Sequence, residues 1–374
     1  MTAPPGRAPL RSVSPEQVRR FRLRRQFVAD RDGTDPVATA RRLLGVQAQV
    51  PSAAAQGVAV RTTTGTADDG TVDAALAAGT LVRTWAARGT LHLLATDQAP
   101  SLLALLAAAR SWDKGSWQRE FATAEQMTAL EAAVVDVLAD GAVLTREELT
   151  AALVAHSGDE GLAEAIRSGW GTVLKPLAWQ GLICHGPPSG TRVTFTRPAW
   201  PGLPDADEAA RAIVPAFLAA HGPATPTAFD AWLLRGMTPK ARLRRWFTDL
   251  VADGTLAEVT VDGEARYARP EDLDDLETAP PVGARLLGPF DPYVLGTGTA
   301  DPDLVPPARR KEVSRAAGWI APVVVDDGRV VGTWSADDDV LTVTPFDGPV
   351  DGDALEAERA VWSRVLGRPL TLPG

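Results

Sequence analysis

The heptapeptide GVQAQVP, Gly45 to Pro51, places two glutamines one residue apart, after an apolar run and before a proline. Glutamine stays neutral, carries one carbonyl acceptor and two N–H donors, and orients water without acting as an effective base. On a continuous helix, residues two apart point about 200° away from each other, whereas on an extended segment they share a face. Pro51 disfavours helix at Val50 and suits the first position of a following helix. Gln47 and Gln49 are therefore expected at a helix–helix junction, where their amides can converge. Two uses fit such a pair: satisfying backbone groups at the junction, or holding a water molecule against a reacting centre.

More conventional catalytic groups are sparse. Cys184 is the single cysteine, and the four histidines (His92, His156, His185, His221) are scattered, so neither a disulfide nor a zinc site is expected. No cofactor is expected either. No run reaches the roughly 20 apolar residues of a membrane span. The N-terminal MTAPPGRAPLRSVSPEQ lacks the apolar core of a signal peptide. The reading is a monomer of the bacterial cytoplasm, associated with the nucleoid if it binds DNA.

A net charge of −9 over 374 residues disfavours a polyanionic partner. The average conceals an asymmetry: Met1 to Glu120 holds 16 Lys+Arg against 10 Asp+Glu, net +6, and the remainder 22 against 37, net −15. The densest basic stretch is VRRFRLRRQF, with Arg19, Arg20, Arg22, Arg24 and Arg25. A GC-rich coding bias accounts for arginine over lysine, though not for acids displaced from one end.

The elements that must position the glutamines follow from caps and periodicity. Near Thr225, ATPTAFDAWLLRG offers Thr225 as N-cap, Pro226 at the first helical position and Gly236 as stop. A second Thr-Pro start, Thr238 and Pro239, opens TPKARLRRWFTDLVADG, with Leu243, Trp246, Phe247 and Leu250 on one face. LAEVTV and EARYAR then flank Asp262-Gly263, a hairpin signal. Helix, helix, helix and hairpin in that order describe a winged helix. The middle of the chain repeats it, with Thr145 to Glu148 as a capping box, a third helix in GLAEAIRSGWGTVLKPLAWQG, and GLICH and TRVTFT around a PPSG turn. The N-terminal version reads as VSPEQVRRFRLRRQFV, DPVATARRLLGVQ and PSAAAQGVAVRT, then an intervening helix and a hairpin in TLVRTWAARGTLHLL. After Pro280, WIAPVVV, Asp327-Gly328, RVVGTWS, ADDD and VLTVTPF form a meander, closed by an amphipathic helix in DALEAERAVWSRVLG. The expected class is α+β: three tandem winged helices (1–120, 121–203, 204–279) and a C-terminal β-rich unit (280–374).

The motifs LLGVQAQVP, RTWAARGTLH from Arg83 to His92, GPFDPYVLG and VDDGRVVGTW, in this order, resemble the AlkZ/YcaQ-type winged-helix DNA glycosylases along essentially the whole chain. That family carries Gln, an apolar residue, then Gln in one branch or Asp in the other. Gln47, Ala48 and Gln49 match the Gln form, the AlkZ branch, and the resemblance makes Gln47 and Gln49 catalytic. It implies excision of N7-alkylated purines from double-stranded DNA, including bulky adducts and interstrand crosslinks of the azinomycin kind, in repair or self-resistance, on an open concave surface. A crosslinked base is tethered to both strands and resists rotation into a deep pocket.

Candidate DNA contacts are Ser52, Arg83, Trp85, Arg88, His92, Arg242 and Arg245. Arg83, Arg88 and His92 serve equally as solvated wing charges and a core histidine; Trp85 suits packing better than base stacking; Arg242 and Arg245 also suit a solvated helix face. Where many members continue into Tyr-Arg-Asp-Arg, this chain has TGTADPDLVPPARRK, so Arg309, Arg310 and Lys311 either replace those contacts or the contacts are absent. Asp291 fits a turn residue or one that braces the glutamines from behind, with a direct role as base the least favoured alternative. The rival readings are a non-enzymic winged-helix regulator and a protein that sequesters a drug.

Overall fold

A computed structural model describes residues 10–168 and 171–373. Helices and strands alternate much as the caps foretell. Ser14 and Gln17 form a capping box on the helix Pro15–Arg25, Thr145 and Glu148 one on Arg146–Ser157, and Thr225 caps Pro226–Leu234. Each cap satisfies amide donors that the first turn leaves without partners. Asp262-Gly263 and Asp327-Gly328 turn with positive φ at both residues, joining Ala257–Val261 to Glu264–Ala268 and Val323–Asp326 to Arg329–Asp337.

Two local expectations are corrected. GLAEAIRSGWGTVLKPLAWQG is two helices, Leu162–Arg167 and Leu174–Trp179, with Gly171 at φ +65° in the break between them. Thr238 does not cap its helix, which starts at Lys240 behind Pro239. Asp230 Oδ1 accepts from the Thr238 amide at 3.1 Å and holds Thr238 in the preceding turn.

Three sheets join distant segments. The six-stranded sheet runs Val46–Gln47, Leu91–Ala95, Leu81–Trp85, Cys184–His185, Thr194–Thr196, Leu144–Thr145, with Arg83 opposite His185 where the two hairpins meet. Arg11–Val13 adds in parallel to Ala257–Val261. Arg285–Leu287 edges the C-terminal sheet, beside Val323–Asp326. One apolar core reaches from Leu44 to Leu256 and takes in Trp85, Trp112, Trp179, Trp232 and Trp246. The C-terminal sheet has separate cores, one of which accepts Leu23 and Val28.

The basic helix Pro15–Arg25 is where the charge asymmetry resolves. Arg20 makes a paired contact with Asp327 at 2.7 and 2.8 Å, and Arg19 donates to the Asp327 and Asp303 carbonyls. Arg22 is buried and donates to the Gly222 and Pro223 carbonyls. Arg25 pairs with Asp272, and Arg24 with Asp30. The cations of this helix thus meet acids and carbonyls that come mostly from the middle and last thirds of the chain, with Glu16 and Asp30 the local partners. This cluster fastens the chain to itself, rather than presenting a free positive surface.

Candidate active site

The helix Pro36–Leu43 ends with Leu44 left-handed at φ +56°, while the Gly45 and Leu44 amides return to the Ala40 and Arg41 carbonyls at 2.8 and 3.3 Å. This is the helix-ending motif that suits a residue of positive φ. Gly45 follows at φ +110°, where an added Cβ would lie 2.5 Å from Leu94 Cδ2. The chain then extends. Val46 and Gln47 pair with Leu93 and His92, the Ala48 amide donates to the Leu91 carbonyl at 2.7 Å, and the next helix begins at Pro51.

Extended geometry sends both glutamine side chains to one place, the loop between Leu81–Trp85 and Leu91–Ala95. Gln47 is 8% exposed. Its Oε1 lies 3.2 Å from Arg88 Nη2 and 3.2 Å from Thr90 Oγ1. Gln49 is exposed, and its Oε1 receives only a long bond of 3.4 Å from the Leu91 amide. The amides therefore differ in office: the Gln47 oxygen faces Arg88 and the Thr90 hydroxyl, whose one proton is shared with the Ala87 carbonyl at 3.1 Å, whereas the Gln49 oxygen remains open to solvent.

The loop is built for this. Arg88 sits at φ +57° and Gly89 at φ +70°, closing a tight turn through Gly89 N to Ala86 O and Ala86 N to Thr90 O, both 2.9 Å. A left-handed arginine costs of order 1 kcal/mol or more and marks a constrained site. Arg88 also donates to the Trp232 carbonyl at 3.3 Å. Burial, with Arg235 nearby, lowers its guanidinium to about 10.

Beside Gln47 opens a crevice lined in part by Gly45, Arg88, His92, His221, Pro292 and Gly296, with about 10 Å³ of room, the space of roughly one water molecule. His92 Nδ1 is 3.0 Å from the Thr90 carbonyl, which assigns the proton to Nδ1 and leaves Nε2 a lone pair. Burial, then Arg88, push His92 down to about 3, so it stays neutral. Asp291 does not touch the glutamines. It is buried, holds Arg61 through bonds of 2.7 and 2.9 Å, and caps the helix Pro292–Thr297 that walls the crevice.

The other expected contacts scatter. Ser52 is exposed one residue past Pro51. Arg83 lies 3.4 Å from His185 Nδ1, half-buried within the sheet. Trp85 is 3% exposed and packs on His185 and Phe195. Arg242 and Arg245 both face Asp207. Arg309 is engaged by Glu312, Asp347 and the Phe346 carbonyl. Arg310 and Lys311 are exposed. Sequence reasoning passed over Thr90, Lys175 and Arg235; only the RGTLH context of Thr90 carried a signal. No group of three His, Cys, Asp or Glu among the described residues could hold a metal ion.

The sequence pattern of the AlkZ-like DNA glycosylases matches residues 40–365. The chain belongs to that family. An interstrand DNA cross-link repair glycosylase of Streptomyces sahachiroi is 46% identical over 363 residues, 94% of this chain and 96% of that one. The solved structure of the Streptomyces sahachiroi DNA glycosylase AlkZ superposes with a TM-score of 0.91 at 44% identity, covering 97% of this chain and all of the other. As a family member the chain is a DNA glycosylase, which sets aside the regulator and sequestration readings. No helix among the described residues is long and apolar enough to cross a membrane.

Proposed function

We propose that this glycosylase hydrolyses the glycosidic bond of N7-alkylated purines in double-stranded DNA, including bulky adducts and interstrand crosslinks, with Gln47 and Gln49 at the reacting centre. Its frame is three tandem winged helices, 1–120, 121–203 and 204–279, carrying the C-terminal β-rich unit 280–374. The observation that carries the reading is the contrast between an exposed Gln49 and a crevice of about 10 Å³ beside Gln47. Pockets that engulf a ligand run to roughly 300–1,000 Å³, so a bulky or tethered base meets Gln49 at the surface.

Alkylation at N7 makes the purine cationic, and the base departs neutral without needing a proton. The remaining work is to place a water below C1′ and favour the developing oxocarbenium charge. Gln49 Oε1 accepts a hydrogen bond from that water, which bonds to C1′ and gives up its proton to bulk solvent. Gln47, its oxygen turned to Arg88 and Thr90, acts as the positioning residue that keeps the loop under the sugar. A pair of amide oxygens sharing one water, the simplest expectation for the motif, gives way to this division because the Gln47 oxygen is buried against Arg88 and Thr90.

The 46% identical glycosylase is described as acting in interstrand crosslink repair, which supports the same substrate class here, and with it resistance to a crosslinking natural product. The test is incubation with duplexes carrying one N7-methylguanine or one N7-linked crosslink, followed by alkaline cleavage. Strand breaks at the modified guanine are expected. Binding without strand breaks on either substrate would overturn the assignment.

A further inference from the structure

Three cations from three distant parts of the chain meet around the turn that holds the glutamines. Arg88 stands on the turn itself, between Gln47 and the Trp232 carbonyl. Lys175, half-buried on the helix Leu174–Trp179, lies against the same turn: a Cβ added to Gly89 would be 3.7 Å from its Cδ and 3.9 Å from its Cε. Arg235 is the exposed left-handed residue that ends Pro226–Leu234, three positions after Trp232, on the helix packed against this turn.

The three share their company: each other's charge and, among the described residues, no acid. Many of the described arginines face an acid, as Arg20 faces Asp327 and Arg242 and Arg245 face Asp207. Among the described residues no carboxylate lies within ion-pair reach of Arg88, Lys175 or Arg235. The charge acting on Arg88 and on Lys175, besides their burial, is that of Arg235, and it lowers both. Like charges gathered at a partly desolvated site without a counter-ion carry a self-repulsion that an anion relieves. Arginine and lysine donors spread over separate elements suit the non-bridging oxygens of a phosphodiester.

We infer that Arg88, Lys175 and Arg235 form a seat for one backbone phosphate of the DNA strand beside the lesion, and that this seat sets the register of the sugar over Gln49. The inference rests on the glycosylase reading of the glutamine pair and adds the contact that positions its substrate. A lone phosphate contact carries no base preference, so the seat serves any adduct sequence.

The experiment uses the full-length chain, with Lys175→Gln, Arg235→Gln, the double variant, and Arg368→Gln as a control whose guanidinium pairs with Asp339. Affinity for an undamaged duplex is measured from low to moderate salt. Each cation lost from a phosphate contact lowers the slope of log K against log salt by about 1. The expected result is a shallower slope and at least about tenfold weaker binding for the double variant, with Lys175→Arg restored and the control unchanged. At saturating protein, single-turnover excision of N7-methylguanine should also fall in the double variant. A folded double variant with wild-type slope and affinity would sink the phosphate seat. Failure of the glycosylase reading shows separately, as absence of excision by the unaltered protein.

Discussion

Arg88 Nη2 lies 3.2 Å from Gln47 Oε1, joining a left-handed arginine at a hairpin tip to a buried amide on the neighbouring strand. The bond makes the two glutamines unequal, although the motif spaces them symmetrically. Gln49 meets solvent and Gln47 does not. Their variants should therefore separate activity from stability.

Gln49→Ala should lower single-turnover excision of N7-methylguanine about 100-fold while changing unfolding free energy by no more than about 0.5 kcal/mol, as for other exposed side chains. Gln47→Ala should lower excision comparably and also cost about 1–3 kcal/mol, because Arg88 and Thr90 lose their common acceptor. Denaturant melts of both variants check this. Equal stability would contradict the burial asymmetry.

Thr90→Val removes the hydroxyl that faces the Gln47 oxygen and the Ala87 carbonyl and keeps the side-chain shape. A single neutral hydrogen bond is worth about 1 kcal/mol, so excision should fall about fivefold, with duplex affinity unaltered. A loss confined to affinity would place Thr90 on the DNA rather than behind the glutamine.

Asp291→Asn probes whether a carboxylate assists the chemistry. The Asp291–Arg61 pair is fully buried, with 0% of either side chain exposed, and removing one charge of such a pair costs about 3–5 kcal/mol. The variant should melt far earlier yet retain most of its excision rate at a temperature where it stays folded. Loss of turnover in the folded variant, with an altered pH profile, would make Asp291 a general base instead of the anchor of Pro292–Thr297.

Acid should destabilise the fold before its carboxylates titrate. His92, His185 and His221 are each lowered from 6.5 to about 3, first by burial and then by cationic neighbours: Arg88 at His92, Arg83 and Arg146 at His185, and Arg22, Arg88 and Arg61 at His221, where the Leu43 carbonyl opposes the shift. Between pH 3 and 6.5 the unfolded chain binds protons that the folded chain refuses. The stabilisation is complete above pH 6.5 and is lost as pH falls, by about 1.4 kcal/mol per pH unit for each histidine. Urea titrations at pH 7.0 and 5.0 measure it; a pH-independent midpoint would mean that these rings protonate in place.

Legibility from the sequence tracked the range of the interactions involved. The Thr225 cap, the Thr145–Glu148 box and the Asp-Gly turns depend on residues two to four apart, and each stands where local chemistry puts it. Thr238 went astray because Asp230, eight residues earlier, outcompeted the local cap. The strands Arg11–Val13 and Leu144–Thr145 escape sequence reading because each is too short to show alternation and forms only on a remote partner, such as Phe195 for Leu144 and Val259 for Arg11. The charge asymmetry of the basic helix was legible from composition, yet most of its acids and carbonyls arrive from residues 222–327.

By itself, the sequence determined that Gln47 and Gln49 lie on an extended link between two helices, since Leu44-Gly45 must end one and Pro51 can only begin the next. It also determined the family, because RTWAARGTLH follows the glutamines in order. Only the tertiary structure decided that one amide faces inward to Arg88 and the other outward, and that Lys175 and Arg235 join that arginine without an acid among them. Backbone caps obey steric and hydrogen-bond rules within a few residues. The surroundings of a charge are set by whichever remote segments fold against it.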